Sequence, residues 1–208
     1  MRTRVKICGL TREQDVQAAV QAGADAIGLV FYEPSPRYVE IELAQRLAES
    51  VPAFVTVTGL FVNAGQACIQ AVLDKVRIDL LQFHGDEPAT FCAQFSRPYI
   101  KALRVADDTD IAAYAEEYIS SRALLLDTYQ KGTPGGTGNA FNWDLIPRNI
   151  ALPVILAGGL GPDNVADAIR KVQPFAVDVS GGVEEDKGIK DINKIRAFMK
   201  EVQSVARN

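Results

Sequence analysis

The chain is predicted to be an α/β protein folded as a single (β/α)8 TIM barrel over residues 1–208, and three observations predict this. Short apolar runs rich in β-formers alternate with segments of helical period along the whole chain. The alternation repeats eight times, which implies parallel strands with right-handed crossovers, and eight such units close into a barrel more readily than they form an open sheet. With 208 residues there are about 26 per unit, compact against the ~250 residues typical of the fold and leaving little for a second domain.

In order, the predicted strands are 4–8, 25–31, 54–62, 80–83, 99–104, 123–127, 153–157 and 175–179. The helical stretches between and after them are 12–22, 41–50, 65–76, 87–95, 107–119, a short one at 142–147, 162–172 and 189–205. The first strand ends at a thiol, Cys8, and turns through Gly9 into a helix. Thr11 with Gln14 three residues on reads there as a capping box, Val16, Ala19 and Val20 form an apolar stripe, and Gly23 suits the C′ position. The sixth strand, ALLLD, closes on Asp127. In the seventh unit Gly161 and Pro162 open a helix with the stripe Val165, Ala168, Ile169 and Val172, Pro taking its favoured first position.

Composition narrows the function classes. Apolar residues are 48% of the chain and charged residues 23%, the balance of a globular protein with a large core. The formal charge of −4 contains no block of Lys or Arg, so neither nucleic acid nor a membrane is an expected partner and any anion must be held locally. The N-terminus carries Arg2, Arg4 and Lys6 within a strand and lacks the apolar region of a signal peptide, so the expected location is cytoplasmic. Cys8, Cys68 and Cys92 are odd in number and widely spaced, which argues for reduced thiols and against a disulfide framework or a metal knuckle.

Strand parity sorts the polar residues. Side chains alternate with period two, so Lys6 and Cys8 share a face, as do Gln82 and His84, and Asp178 and Ser180, whereas Val5, Ile7, Leu81, Phe83, Val177 and Val179 face the helices. With Asp127, polar groups from four strands converge on the interior near the C-terminal mouth, where barrel enzymes do their chemistry. Two glycine turns complete the picture: AGGLGPDN (157–164) after the seventh strand and VSGGVEEDKG (179–188) after the eighth. Barrels frequently hold phosphate with these two loops. A third glycine-rich stretch, KGTPGGTGNAF (131–141), is long and polar enough for a flap over the mouth.

KICGLT (6–11), GLVFYEPSPRYV (28–39), GLFVN (59–63), LQFHGDE (81–87), LLLDT (124–128), GGTGNAFNW (135–143), LAGGLGPDNV (156–165) and FAVDVSGGVE (175–184) together resemble the phosphoribosylanthranilate isomerase family of tryptophan, hence aromatic amino acid, biosynthesis. The resemblance covers nearly the whole chain in order. It implies an aldose-ketose isomerase carrying out an Amadori rearrangement of N-(5-phosphoribosyl)anthranilate to 1-(2-carboxyphenylamino)-1-deoxyribulose 5-phosphate, with no cofactor.

That chemistry asks for an acid to protonate the furanose ring oxygen and a base to remove the C2′ proton. Asp127 resembles the family's acid and Cys8 its base. Lys6 and the following helix N-terminus are expected to favour the thiolate. Arg37 resembles the residue that receives the anthranilate carboxylate. The 5′-phosphate is expected on backbone N–H groups of Gly158, Gly159, Ser180, Gly181 and Gly182. Asp178 is expected to pair with Lys6 or orient a sugar hydroxyl, and Gln82 and His84 to form a hydrogen-bonding wall of the sugar or aryl pocket.

Two positions depart from the family pattern. Asn142 stands where Asp is commoner, and Gly181 where Ser is commoner; the first bears on the flap or the short sixth helix, and the second removes a hydroxyl but keeps the N–H. The competing readings are another phosphosugar barrel enzyme, such as an indole-glycerol-phosphate synthase-like lyase or a triose-phosphate-type isomerase, and a non-catalytic phosphate-ligand binding protein. The first would need Lys or Glu at strand ends, and the second has no use for a thiol opposite an acid. With no exposed apolar stripe evident, a monomer is preferred and a dimer left open.

Overall fold

The computed structural model describes residues 2–128 and 142–205; the flap expected at 131–141 lies outside the described residues. Each apolar run forms a strand whose outer side chains a helix covers. In chain order the elements are β1 (Arg4–Cys8), α1 (Glu13–Gln21), β2 (Ala26–Val30), α2 (Ile41–Glu49), β3 (Thr56–Phe61), α3 (Gln66–Lys75), β4 (Leu80–Phe83), α4 (Ala89–Cys92), β5 (Tyr99–Val105), α5 (Ile111–Glu117) and β6 (Leu124–Thr128). A 3-10 turn (Trp143–Leu145) follows, then β7 (Val154–Leu156), α6 (Val165–Val172), β8 (Ala176–Val179), a small hairpin of β9 (Glu184–Asp186) and β10 (Ile189–Lys190), and α7 (Ile192–Ser204). Strands β1 to β8 pair in order into a closed barrel, β8 returning to β1 in parallel with Lys6 opposite Asp178.

The parity expected from the sequence places the core. Val5, Ile7, Leu81, Phe83, Val177 and Val179 pack outward with Val16, Ala44, Ile69, Ile169 and Phe198 of the helices. Inside, Ile100, Ala102, Leu125, Ile155 and Ala176 fill the barrel away from the mouth. The interior is therefore packed at one end and polar at the other, so the polar residues can meet only at the C-terminal ends of the strands. No helix among the described residues is long and apolar enough to cross a membrane.

Local details differ from the sequence reading where a tertiary partner outcompetes a local one. The Thr11 capping box does not form: α1 starts at Glu13, and the Thr11 hydroxyl donates instead to the Gly188 carbonyl at 2.6 Å. Pro162 lies before the helix, which begins at Val165. Asn164 closes the turn, accepting from Gly161 N at 2.9 Å and donating to Gly159 O at 2.8 Å. The sixth helix is the single 3-10 turn, and Asn142 Oδ1 caps it by accepting from Asp144 N at 3.0 Å, a bond an amide oxygen makes as well as a carboxylate. The last helix starts three residues late because Ile189 and Lys190 pair with β9.

One buried ion pair fixes the loops beside the mouth. Lys101, fully buried on the outer face of β5, places its ammonium 2.9 Å from Glu87 Oε2 and 2.6 Å from the Gly85 carbonyl. Glu87 also accepts from Asn63 N at 2.7 Å and Gly85 N at 3.0 Å, tying the loops after β3 and β4 together. Removing one partner of such a pair strands the other charge without solvent. Lys101→Met is expected to lower unfolding stability by about 3–5 kcal/mol in urea titrations; a loss under 1 kcal/mol would show that the pair does not hold these loops.

Candidate active site

A cavity of about 850 Å³ opens at the C-terminal mouth, lined among others by Cys8, Arg37, Gln82, His84, Asp127, Asp178 and both glycine turns. Its size suits a drug-sized organic ligand. Every residue predicted for the site lines this cavity except Lys6, which lies behind Cys8 on the same strand face.

On one side, Lys6 Nζ sits 2.8 Å from Asp178 Oδ1, both side chains nearly closed to solvent. Burial works against the Lys6 charge, but Asp178, with Cys8, outweighs it and holds the lysine pKa above its ordinary value. Cys8 itself runs against expectation. Burial, reinforced by Asp178, pushes its thiol pKa up, and the pull of Lys6 and Lys190 does not compensate. The expected lowering by Lys6 is present but loses to burial, to which the nearby Asp178 carboxylate adds. Space for the sulfur comes from β2: a Cβ on Gly28 would stand 2.6 Å from Cys8 Sγ, and Gly28 is the register partner of Cys8.

Across the mouth, Asp127 Oδ1 accepts from Thr128 N at 2.8 Å and Oδ2 lies 3.2 Å from His84 Nε2. The other ring nitrogen, Nδ1, is 2.9 Å from Gln82 Nε2. With Gln82 donating, Nδ1 is an acceptor, so Nε2 carries the proton and donates to Asp127; the reverse amide orientation gives the opposite tautomer and presents the buried Gln82 Oε1, otherwise without a partner, to the ring. His84 and Gln82 thus stand in the cavity wall as predicted, but the imidazole nitrogens are committed to Gln82 and Asp127 rather than open to a ligand. Gly158 borders the same carboxyl. Its φ is +80°, and a Cβ there would lie 2.7 Å from Asp127 Oδ1 and closer still to Thr128, so the turn after β7 rests directly on Asp127.

The glycine turns face each other at the rim. The N–H groups of Gly158 and Gly159 have no acceptor among the described residues, the donors an anion requires. Ser180 is partly committed: its hydroxyl donates to the Cys8 carbonyl at 3.0 Å.

The sequence reading missed a charged cluster beside Arg37. Glu184 takes the Arg37 fork side-on, Nε to Oε1 at 2.7 Å and Nη2 to Oε2 at 2.6 Å, and also accepts from the fully buried Lys190 at 2.8 Å. Burial opposes the Glu184 charge, but Arg37 and Lys190 prevail and hold its pKa below the usual carboxylate value. Burial wins at Lys190, whose pKa falls despite Glu184. The terminal Glu of FAVDVSGGVE was the available signal, but nothing in the one-dimensional pattern linked it to Arg37, 147 residues away.

The chain is similar to known proteins along nearly its whole length. The family model described as N-(5'-phosphoribosyl)anthranilate (PRA) isomerase matches residues 5–201. An N-(5'-phosphoribosyl)anthranilate isomerase of Nitrosococcus oceani is 57% identical over 99% of this chain and 100% of its own length. A solved phosphoribosyl anthranilate isomerase in complex with reduced 1-(o-carboxyphenylamino)-1-deoxyribulose 5-phosphate superposes with a TM-score of 0.87 at 39% identity, covering 98% of this chain and 100% of that one. Monomers generated from the dimeric phosphoribosylanthranilate isomerase of Thermotoga maritima give 0.86 at 37% identity, with 98% and 100% covered. A barrel with a thiol and a carboxyl across one mouth, matched along nearly its whole length, belongs to the phosphoribosylanthranilate isomerase family.

Proposed function

We propose that Cys8 and Asp127 are the base and acid of the Amadori rearrangement that membership of this family entails, within a single catalytic barrel spanning residues 1–208. The observation that carries the assignment is that these two side chains line one cavity from β1 and from β6, with the glycine turns at its rim. Neither the lyase nor the binding-protein reading is favoured by the relatives, which are isomerases.

In this reading Asp127 passes its proton to the furanose ring oxygen as the C1′–O bond breaks, leaving an iminium between C1′ and the aryl nitrogen. The Cys8 thiolate takes the proton from C2′, and that electron pair forms the C1′=C2′ bond and neutralises the nitrogen. Ketonisation of the enolamine places a proton on C1′ and releases the one on the C2′ oxygen, so no proton is consumed overall. Burial of the thiol makes the thiolate a minority species, but a strongly basic one once formed. His84 presents Asp127 to the ring oxygen, the Lys6–Asp178 pair supports Cys8 and the sugar face, Arg37 receives the anthranilate carboxylate, and Gly158, Gly159 and Ser180–Gly182 receive the 5′-phosphate. The substrate is thus held at its two anionic ends with the reacting carbons between acid and base. The fitting location for such a biosynthetic enzyme is the cytoplasm.

Loss of substrate fluorescence reports the reaction. Cys8→Ala and Asp127→Asn are each expected to lower kcat at least 10²–10⁴-fold, the contribution typical of a positioned acid or base; near-wild-type turnover by either variant removes its assigned role.

The dimer that the sequence reading left open beside its preferred monomer has a candidate contact surface. Phe54 stands fully exposed with φ 70° in the turn before β3. Ile119 and Phe175, before β6 and β8, are also exposed, and all three lie at the end of the barrel opposite the mouth. Exposed apolar side chains at one end of the barrel suit a self-complementary contact. Sedimentation equilibrium is expected to give a dimer for wild type and a monomer for Phe54→Ser; a monomeric wild type at micromolar concentration rejects this reading.

A further inference from the structure

Arg37 has more hydrogen-bond donors than the protein uses. Its side chain is only 14% exposed, and a guanidinium offers five N–H groups along two edges that each match a carboxylate. Glu184 takes the Nε/Nη2 edge. Nη1 makes no bond among the described residues, and neither does the second Nη2 hydrogen, so the opposite edge is left to the cavity that Arg37 lines. The arm reaches this place by crossing Gly9, where a Cβ would meet Arg37 Cδ at 2.4 Å.

Glu184 is itself anchored rather than mobile. Its carbonyl accepts from Lys194 Nζ at 2.7 Å, its Oε1 from Lys190 Nζ at 2.8 Å, and Lys190 Nζ also reaches the Ser180 carbonyl at 3.1 Å. The hairpin carrying both residues is held to the first unit, since Lys190 N donates to Asp15 Oδ2 at 3.1 Å and Arg12 Nη2 donates to the Lys190 carbonyl at 3.2 Å. A planar donor gripped along one edge by a fixed carboxylate has a fixed second edge. Gly181 lies beside the pair: a Cβ there would have Arg37 Nη2 at 3.5 Å and Glu184 Oε2 at 3.9 Å, ordinary contact distances.

We infer that Glu184 is a positioning residue for substrate selection: by holding Arg37 along one edge it aims the other at the carboxylate of an ortho-carboxyaryl amine and disfavours aryl amines that lack this group. The inference rests on the reading that Arg37 receives the anthranilate carboxylate. Because that contact is made equally before and during the reaction, its loss raises KM and leaves kcat largely alone. A merely structural ion pair would instead affect all substrates alike.

The test compares N-(5-phosphoribosyl)anthranilate with N-(5-phosphoribosyl)aniline, formed from aniline and ribose 5-phosphate, following the ketose products by chromatography. Glu184→Gln is expected to raise KM about tenfold for the carboxylated substrate, with kcat within threefold of wild type, and to leave KM for the aniline compound unchanged. Glu184→Gln added to Arg37→Ala should have no further effect on KM. An equal penalty on both substrates, or none on either, overturns the inference. Arg37→Ala keeps the two levels apart: if it too fails to discriminate between the substrates, the Arg37 reading falls and this inference with it, whereas if it discriminates and Glu184→Gln does not, only the Glu184 inference falls. Should Glu184→Gln not fold, Glu184→Asp carries the same comparison, since it keeps the charge for Lys190 but withdraws the carboxylate from the Arg37 edge.

Discussion

The seam between β8 and β1 is where the barrel closes, and the Lys6–Asp178 pair lies directly across it. Two opposite charges that share a register level inside a nearly dry wall cannot be separated without leaving one unpaired, a cost of about 3–5 kcal/mol. The first and last strands are thus bound by a buried ion pair between facing strand residues. The same pair sets the field at Cys8, one residue pair further along β1. Desolvation dominates there and raises the thiol pKa; Lys6 pulls it down and Asp178 pushes it back up. The contact that closes the fold thus also moderates a thiol whose basicity burial sets.

The rest of the mouth keeps Cys8 and Asp127, the proposed base and acid, in separate surroundings. Gly28 gives the sulfur its room and Gly158 lets the turn after β7 reach the Asp127 carboxyl, so two missing side chains define where the reactive groups stand. Cys8 is buried among the ionic neighbours Lys6, Asp178 and Lys190, and Asp127 is met by a hydrogen-bond chain from Gln82 through His84. The β9–β10 hairpin adds a third element, carrying Glu184 to Arg37 and Lys190 to Ser180. In the proposed reading, chemistry and ligand selection therefore depend on different parts of the chain, the first on strand ends and the second on the loops after β2 and β8.

The strands were legible because a period-two pattern in a buried parallel sheet leaves few alternatives, and all eight were expected within two residues of where they occur. The same parity brought Cys8, Gln82, His84, Asp127 and Asp178 to one mouth. Helix starts were less legible: Thr11 and Pro162 carry good local signals, yet Thr11 is drawn to the Gly188 carbonyl and the Pro162 turn is organised by Asn164. Such long-range competition has no trace in a local window. The direction of the Cys8 shift was missed for a different reason: the Lys6–Asp178 pairing was itself expected, but the burial around the sulfur that outweighs the pull of Lys6 is set by the closed barrel and by no local pattern. Glu184 escaped notice because Arg37 lies on a distant loop and Lys190 meets it only once β9 and β10 pair.

The central claim is that burial outweighs the neutralised Lys6 at Cys8, and the most direct measurement is the thiolate absorbance of Cys8 as a function of pH in a protein carrying Cys68→Ser and Cys92→Ala. The account expects Cys8 to stay protonated through neutral pH and to ionise above the ~8.5 of an unperturbed thiol, with Lys6→Met moving the midpoint further up because the remaining pull is lost. A midpoint below that of a free thiol, or one indifferent to Lys6→Met, would contradict it.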